Sequence, residues 1–502
     1  MDRARLHAHL RWSGAKRRRL RAVFCRQRGH PLPRGPDGGL ARFGWRTREA
    51  LREWWLTGRE IALPGNSFAY RVTDGWLRDL ASEPAPNDPW PCIRWDERLL
   101  ADQLRFLDVQ AELGVEYNLA WGLFVDRSWP VPFERVIGRE REEMLHSFVS
   151  AAHRRKLKVL SGVGIYSWGF EEVIAKVPGV SAGHRQAMCA FSEEAWEWQR
   201  RVLDFLMDPG WGLDGISMQS ADQGRCQCER CSKLSPAEHH AKLLVRCAEH
   251  VRAQRPEWVV GQAAWGLRLD DPEELAHLQR ISEAVDYMVE VQELSASKGV
   301  RAGIARGLGC ALGSVGGVFV EPPQHWERLR WFVPCGLGSA RALARLWKDG
   351  GRACEYFYRP FANPGEEVSW RTGARILSSP LTPPEEALAD AVSAVYGVEG
   401  RARAELTEWY GRAENAYFSR ARFAVGDGPL SLEPLVWSEN AAAPGPPIYL
   451  RDQMSAAARA EYARELGQLR AELESIEIPN REAVDRTATC IEGTLGDIAL
   501  LG

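Results

Sequence analysis

Apolar residues recur at helical spacing through RLLADQLRFLDVQAELG (98–114), stop at Gly114, and give way to YNLAWGLFV (117–125), an apolar run of strand character. The pairing repeats. EREEMLHSFVSAAHRRK (140–156) is amphipathic and runs into LKVLSGVGIYSW (157–168). SEEAWEWQRRVLDFLM (192–207), with Ser192 as N-cap and two acids in its first turn, leads through PGWG into DGISMQS (214–220). Ser235-Pro236-Ala237-Glu238 is a capping box that opens a helix to about 254, ahead of VVGQAAW (259–265). Asp271-Pro272-Glu273-Glu274 repeats that start before DYMVEVQE (286–293). GGVFVE (316–321), a helical stretch around 338–348 and RACEYFY (352–358) complete the series.

Seven short apolar strands separated by helices predict parallel strands joined by crossovers, buried on both faces. An eighth closes a (β/α)₈ TIM-type barrel, the leading architecture, with an open doubly wound sheet second. No GxGxxG follows an early strand, which counts against a dinucleotide-binding sheet. The missing first strand lies before residue 96, in REIALPG (59–65) or LRAVFC (20–25). The expected organisation is an N-terminal segment (1–95) that supplies this strand, a barrel core (96–375) and a C-terminal helical region (376–502). The last opens with a capping box, Thr382-Pro383-Pro384-Glu385. It contains a Gly- and Pro-rich loop (426–447) and ends in a long charged helix at about 455–475.

Charge changes the picture by exclusion. Lys+Arg 65 against Asp+Glu 67 gives a net charge of −2, which argues against a nucleic-acid partner. No apolar stretch approaches the roughly 18 residues of a membrane span, and the basic N-terminus has no apolar core behind it. A cytoplasmic location is the expectation. His7-Ala8-His9 and Lys16-Arg17-Arg18-Arg19 read as solvated surface. The composition holds 21 tryptophans, whose flat faces suit sugar rings as well as cores.

Active sites of such barrels sit at the C-terminal strand ends. Carboxylates stand there at Asp126, Asp222, Glu290, Glu293, Glu321 and Glu355, with Trp121, Trp168, Gln219, Trp265, His325, Trp326 and Arg359 at or near the same ends. Paired carboxylates among aromatic walls are what glycosidic cleavage requires: one protonates the leaving oxygen, the other attacks or activates water. Trp121, Trp168 and Trp265 are expected to line one pocket, with Asp126, Gln219, His325 and Arg359 also contacting substrate.

ISMQSADQGRCQCERC, preceded by a DGI strand and followed by a capped helix, resembles a glycoside-hydrolase-like barrel family. That family includes endo-β-N-acetylglucosaminidases and is related to the β-hexosaminidase and α-glucuronidase barrels. Ser217, Asp222, Gly224, Cys226, Cys228 and Cys231 match its fourth-strand segment. Ala221 replaces an Asn, and Gln223-Gly224-Arg225 stands where a triple glycine is usual. EYFYRPFANPGEEVSWRTGARILSSP resembles the end of the barrel in such proteins, so the likeness covers roughly residues 96–400. It implies a (β/α)₈ fold and glycan chemistry. The fourth and seventh strands stand nearly opposite each other, and many retaining barrel glycosidases use these two ends. The resemblance therefore implies Asp222 as proton donor and Glu321 as nucleophile or base, with Glu355 and Glu290 in reserve. The alternatives are a catalytically silent carbohydrate-binding barrel and a barrel sugar isomerase.

No cofactor is expected for catalysis. Cys226-x-Cys228-x-x-Cys231 has the spacing to share a structural zinc, with His239 or His240 as fourth ligand, or else is a knot of buried thiols.

Overall fold

The computed structural model describes residues 66–76, 97–125, 128–182, 187–219, 225–264, 267–290, 293–317, 332, 334–358, 363–421 and 455–499. All belong to one compact unit, Gly65–Gly502. Eight parallel strands close a barrel in chain order. They are β1 (Tyr70–Trp76), β2 (Tyr117–Trp121), β3 (Lys158–Gly164), β4 (Gly215–Gln219), β5 (Val259–Ala264), β6 (Tyr287–Glu290), β7 (Ala311–Gly317) and β8 (Ala353–Tyr358). Closure is made by β8 on β1, from Tyr70 opposite Ala353 to Gly75 opposite Tyr358. Helices α1 (Glu97–Glu112), α2 (Arg139–Arg154), α3 (Glu171–Lys176), α4 (Glu193–Leu206), α5 (Pro236–Gln254), α6 (Leu275–Ala284), α7 (Glu293–Ala305) and α8 (Gly336–Lys348) fill the crossovers. After β8 come α9 (Pro364–Ser378), α10 (Pro384–Tyr396), α11 (Gly400–Ala421), α12 (Ala456–Ser475) and α13 (Arg481–Ala499). No described helix is long and apolar enough to cross a membrane.

The hydrophobic pattern located most elements to within a few residues, and four differ for physical reasons. The first strand is YRVTDGW, not either segment proposed for it; both of those lie outside the described residues. Its Arg, Thr and Asp interrupt the apolar run that marks the other strands. The described seventh strand, ALGSVGG, pairs with β6 and β8 through its small residues and overlaps the expected GGVFVE only at Gly316 and Gly317; the rest of that segment lies outside the described residues. Asp271 caps only a turn of its own, accepting from Glu273 N at 2.9 Å, and α6 begins four residues later at Leu275. The helix after Thr382 takes Pro383 as N-cap, and a proline offers neither a side-chain acceptor nor an N–H for a capping box, while Glu385 accepts from Arg341 (2.7 Å). Ser192 and Ser235, by contrast, cap α4 and α5 as expected, each accepting a backbone N–H at 3.1 Å.

Strand alternation sorts the side chains into lumen and outer layer. On β8, Tyr356 packs outward on Trp370 of α9, so Ala353, Glu355 and Phe357 face the lumen. On β2, Asn118 faces outward and donates to Gln110 Oε1 of α1 (3.0 Å), leaving Tyr117, Leu119 and Trp121 inside. The N-terminal rim carries a repeated device. Asp214, just before β4, accepts from Val159 N (2.8 Å) and faces His153 (2.9 Å). Asp286, just before β6, accepts from Val260 N (2.8 Å) and from Arg252 (2.6 Å). Each carboxylate ties a strand to its neighbour and to the preceding helix.

The C-terminal helices build a second core around Trp409, Tyr410, Tyr396 and Tyr462, joined by Phe332, Cys335 and Val368 from the barrel side. Glu414 of α11 accepts from Leu337 N (2.9 Å) and Gly338 N (2.5 Å), so it satisfies the first turn of α8 from another helix.

Candidate active site

Glu355 occupies the middle of β8, points into the lumen and is fully buried. Its Oε1 accepts from Tyr287 OH (2.7 Å) on β6 and from Ser217 Oγ (2.5 Å) on β4. Strands β4 and β8 are diametrically opposed in an eight-strand ring, so this bond crosses the barrel axis. Small neighbours make it feasible. Ser217 lies between Gly162 and Gly261 in the ladder, and a Cβ at Gly261 would sit 2.1 Å from the Tyr287 ring. Burial pushes the Glu355 carboxyl up to about 7, while Ser217, Tyr287 and Gln219 pull it back. A carboxyl poised there is protonated in part at neutral pH and can give or take a proton.

Gln219 ends β4 on the same inward face, buried. Trp121 ends β2 and lies flat on Gly162, where a Cβ would come within 2.4 Å of the indole. Trp168, in the loop after β3, meets it edge-on at 6.0 Å. Two of the three tryptophans expected to line one pocket thus meet, but at 3% and 4% exposure they pack as wall, not as an open stacking platform.

Glu290 is not in the lumen. It follows inward Val289 and points outward under α7, where a Cβ on Gly299 would lie 2.4 Å from its Oε2. Leu269 N donates to its Oε1 at 2.7 Å. Burial raises its carboxyl to about 8 against that bond, with Asp270 adding to the rise. It cannot share a sugar with Glu355 from the other side of the strand. Glu293 opens α7. Asp126, Asp222, Trp265, Glu321, His325, Trp326 and Arg359 lie outside the described residues.

The cysteine cluster is larger than the sequence reading made it. Cys226, Cys228 and Cys231 are joined by Cys189, and the four sulfurs lie within 4.8 Å of one another. Neither histidine takes the fourth place. His239 and His240 are buried against the Tyr166 ring, centroids 5.3 and 6.2 Å away, and His240 Nε2 meets Gln262 at 3.4 Å. Burial lowers them to about 4 and about 3, so both are neutral. Cys189 was missed because it lies far back in the sequence, ahead of α4 and β4; only the incompleteness of a three-thiol set pointed to a further ligand. Tyr287 was missed because an aromatic opening an apolar strand reads as core.

The fold is a closed (β/α)₈ barrel, and solved structures of other proteins share it at low sequence identity. A GH138 enzyme described as targeting pectin rhamnogalacturonan II superposes with a TM-score of 0.52 at 11% identity, over 87% of this chain and 58% of that one. A variant of the Thermobaculum terrenum O-GlcNAc hydrolase matches at TM-score 0.47 and 11% identity, over 85% of this chain and 81% of its own. The structure described as CpGH84B matches at 0.47 and 10%, over 86% and 69%. No family model and no curated protein matches the sequence.

Proposed function

We propose that the chain is a glycoside hydrolase that cleaves an oligosaccharide or glycoconjugate by a two-carboxylate mechanism. The observation that supports this reading is Glu355, a buried carboxyl on the barrel axis with its acidity moved to about 7 by the wall around it. In the sequence Asp222 stands three residues past Gln219, the end of β4, and Glu321 four residues past Gly317, the end of β7. In this reading Asp222 passes its proton to the glycosidic oxygen as the C–O bond breaks. Glu321 then attacks the anomeric carbon, or takes a proton from the water that does. Separation of the pair sets the outcome, about 5–5.5 Å for retention and about 6.5–9.5 Å for inversion. Glu355 on the barrel axis holds or releases a proton and fixes β4 through Ser217.

A panel of aryl glycosides and natural glycans, with N-acetylglucosaminides and glucuronides first, tests the reading. Turnover that falls by several orders of magnitude in folded Asp222→Asn and Glu321→Gln variants is expected. Binding without turnover would favour a silent sugar-binding barrel, and dependence on a divalent ion an isomerase. Near-normal turnover of Glu321→Gln would transfer its role to Glu355.

A further inference from the structure

We propose that Cys189, Cys226, Cys228 and Cys231 hold one structural zinc ion per chain. Cys189 Sγ stands 3.8 Å from both Cys228 Sγ and Cys231 Sγ, and all four sulfurs fall within 4.8 Å of one another. A tetrahedral zinc with Zn–S bonds of about 2.3 Å has sulfur–sulfur edges of about 3.8 Å, whereas a disulfide requires about 2.05 Å. The separations fit the metal and not the bridge. An all-thiolate set favours zinc over hard cations, and four protein ligands leave no open position for substrate or water. The site is therefore structural.

Its surroundings are built for thiolates. Cys231 N–H points at Cys228 Sγ (3.4 Å), and Ser232 N–H bonds Cys228 O (2.9 Å), which tightens the turn around the ligands. Cys189 is pinned by its N–H to Val180 O (2.8 Å) and by Ser192 N–H on its own carbonyl (3.0 Å). Zinc with four thiolates carries a net negative charge. Arg230 and Lys242 both lie over the ring of Phe191, two residues from Cys189, and supply positive charge to that corner. Cys226, Cys231 and Cys189 are buried, which protects them from exchange with solvent.

The ion would staple the loop between α3 and α4 to the loop that leaves β4. The second loop carries Asp222 four residues before Cys226. On the reading of the chain as a glycosidase, the staple fixes the position of the proton donor.

Metal analysis of protein purified without chelator tests the site without reference to activity. One zinc per chain is expected in the wild type and in Cys247→Ser, a buried cysteine of α5 outside the cluster, with zinc lost from Cys189→Ser and Cys226→Ser. If the Ser variants fail to fold, mercurial titration of folded wild type replaces them: zinc should appear at an indicator as the cluster thiols are modified. Cobalt added to metal-free protein should give thiolate charge-transfer absorption. Wild type without metal and without a cobalt spectrum, full zinc retained by Cys189→Ser, or iron in place of zinc would each overturn the proposal.

Discussion

Glu290 and Glu355 are two buried carboxyls with different tasks, and their titration separates them. Glu290 sits under α7 with a carboxyl raised to about 8, from an unfolded value near 4.5. Between those values the folded chain holds a proton that the unfolded chain has lost. Its stabilising contribution is thus complete below pH 4.5 and fades as pH rises through 8. Glu290→Gln keeps the shape without the charge, so denaturant midpoints should coincide near pH 5. By about pH 8.5 the variant should be the more stable by ~2–4 kcal/mol; a gap of the opposite sign would mean that Glu290 is ionised in the fold. Glu355 is read through activity. Ser217→Ala removes a hydroxyl that favours its ionised form, so any kinetic pKa belonging to Glu355 should move upward, and an unmoved pH–rate profile would remove Glu355 from the chemistry. At this scale the sequence identified carboxylates but not the faces they occupy. VEVQE marks a strand end, and only the inward Val289 beside it shows that Glu290 must point away. Likewise, only the outward packing of Cys354 and Tyr356 in the structure shows that Glu355 faces the lumen.

The Asp214 and Asp286 ties decide how strands enter the barrel. Each aspartate serves a backbone N–H of the adjacent strand that would otherwise lose its partner at the rim. Asp286 also holds Arg252, so Asp286→Ala should lower stability by about 1–3 kcal/mol, and Asp214→Ala by less; urea unfolding of the two variants gives the order. Packing of α9 on β8 is stricter. A Cβ on Gly373 would fall 1.9 Å from Tyr356 OH, which is buried beneath the helix. Gly373→Ala should therefore depress the thermal midpoint more than either aspartate change, and Tyr356→Leu in the same chain should recover part of the loss. Helices were legible because their apolar stripes and Ser caps are local signals. Strand β1 was not, because YRVTDGW takes its burial from β2 and β8 rather than from its own composition. The start of strand β7 at Ala311 was missed for a related reason: glycine and serine pair well in a ladder but carry little apolar signal.

The barrel and the C-terminal helices are coupled by more than proximity. Phe332, Cys335 and Val368 belong to the second core, and Glu414 supplies the N-terminal cap that α8 lacks. Heating should give one cooperative transition, and Glu414→Ala should lower its midpoint as a whole; a separate early transition of the C-terminal helices would show them to be an independent domain. The lumen carries a different kind of coupling. The Tyr287 ring fills the space that a side chain on Gly261 would need, and the Trp121 indole does the same above Gly162. Neither position of a pair can drift alone, so in related sequences a larger residue in place of Gly261 or Gly162 should appear only with a smaller one in place of Tyr287 or Trp121. The paired positions therefore form a compact evolutionary record of how wide this barrel has been at each level.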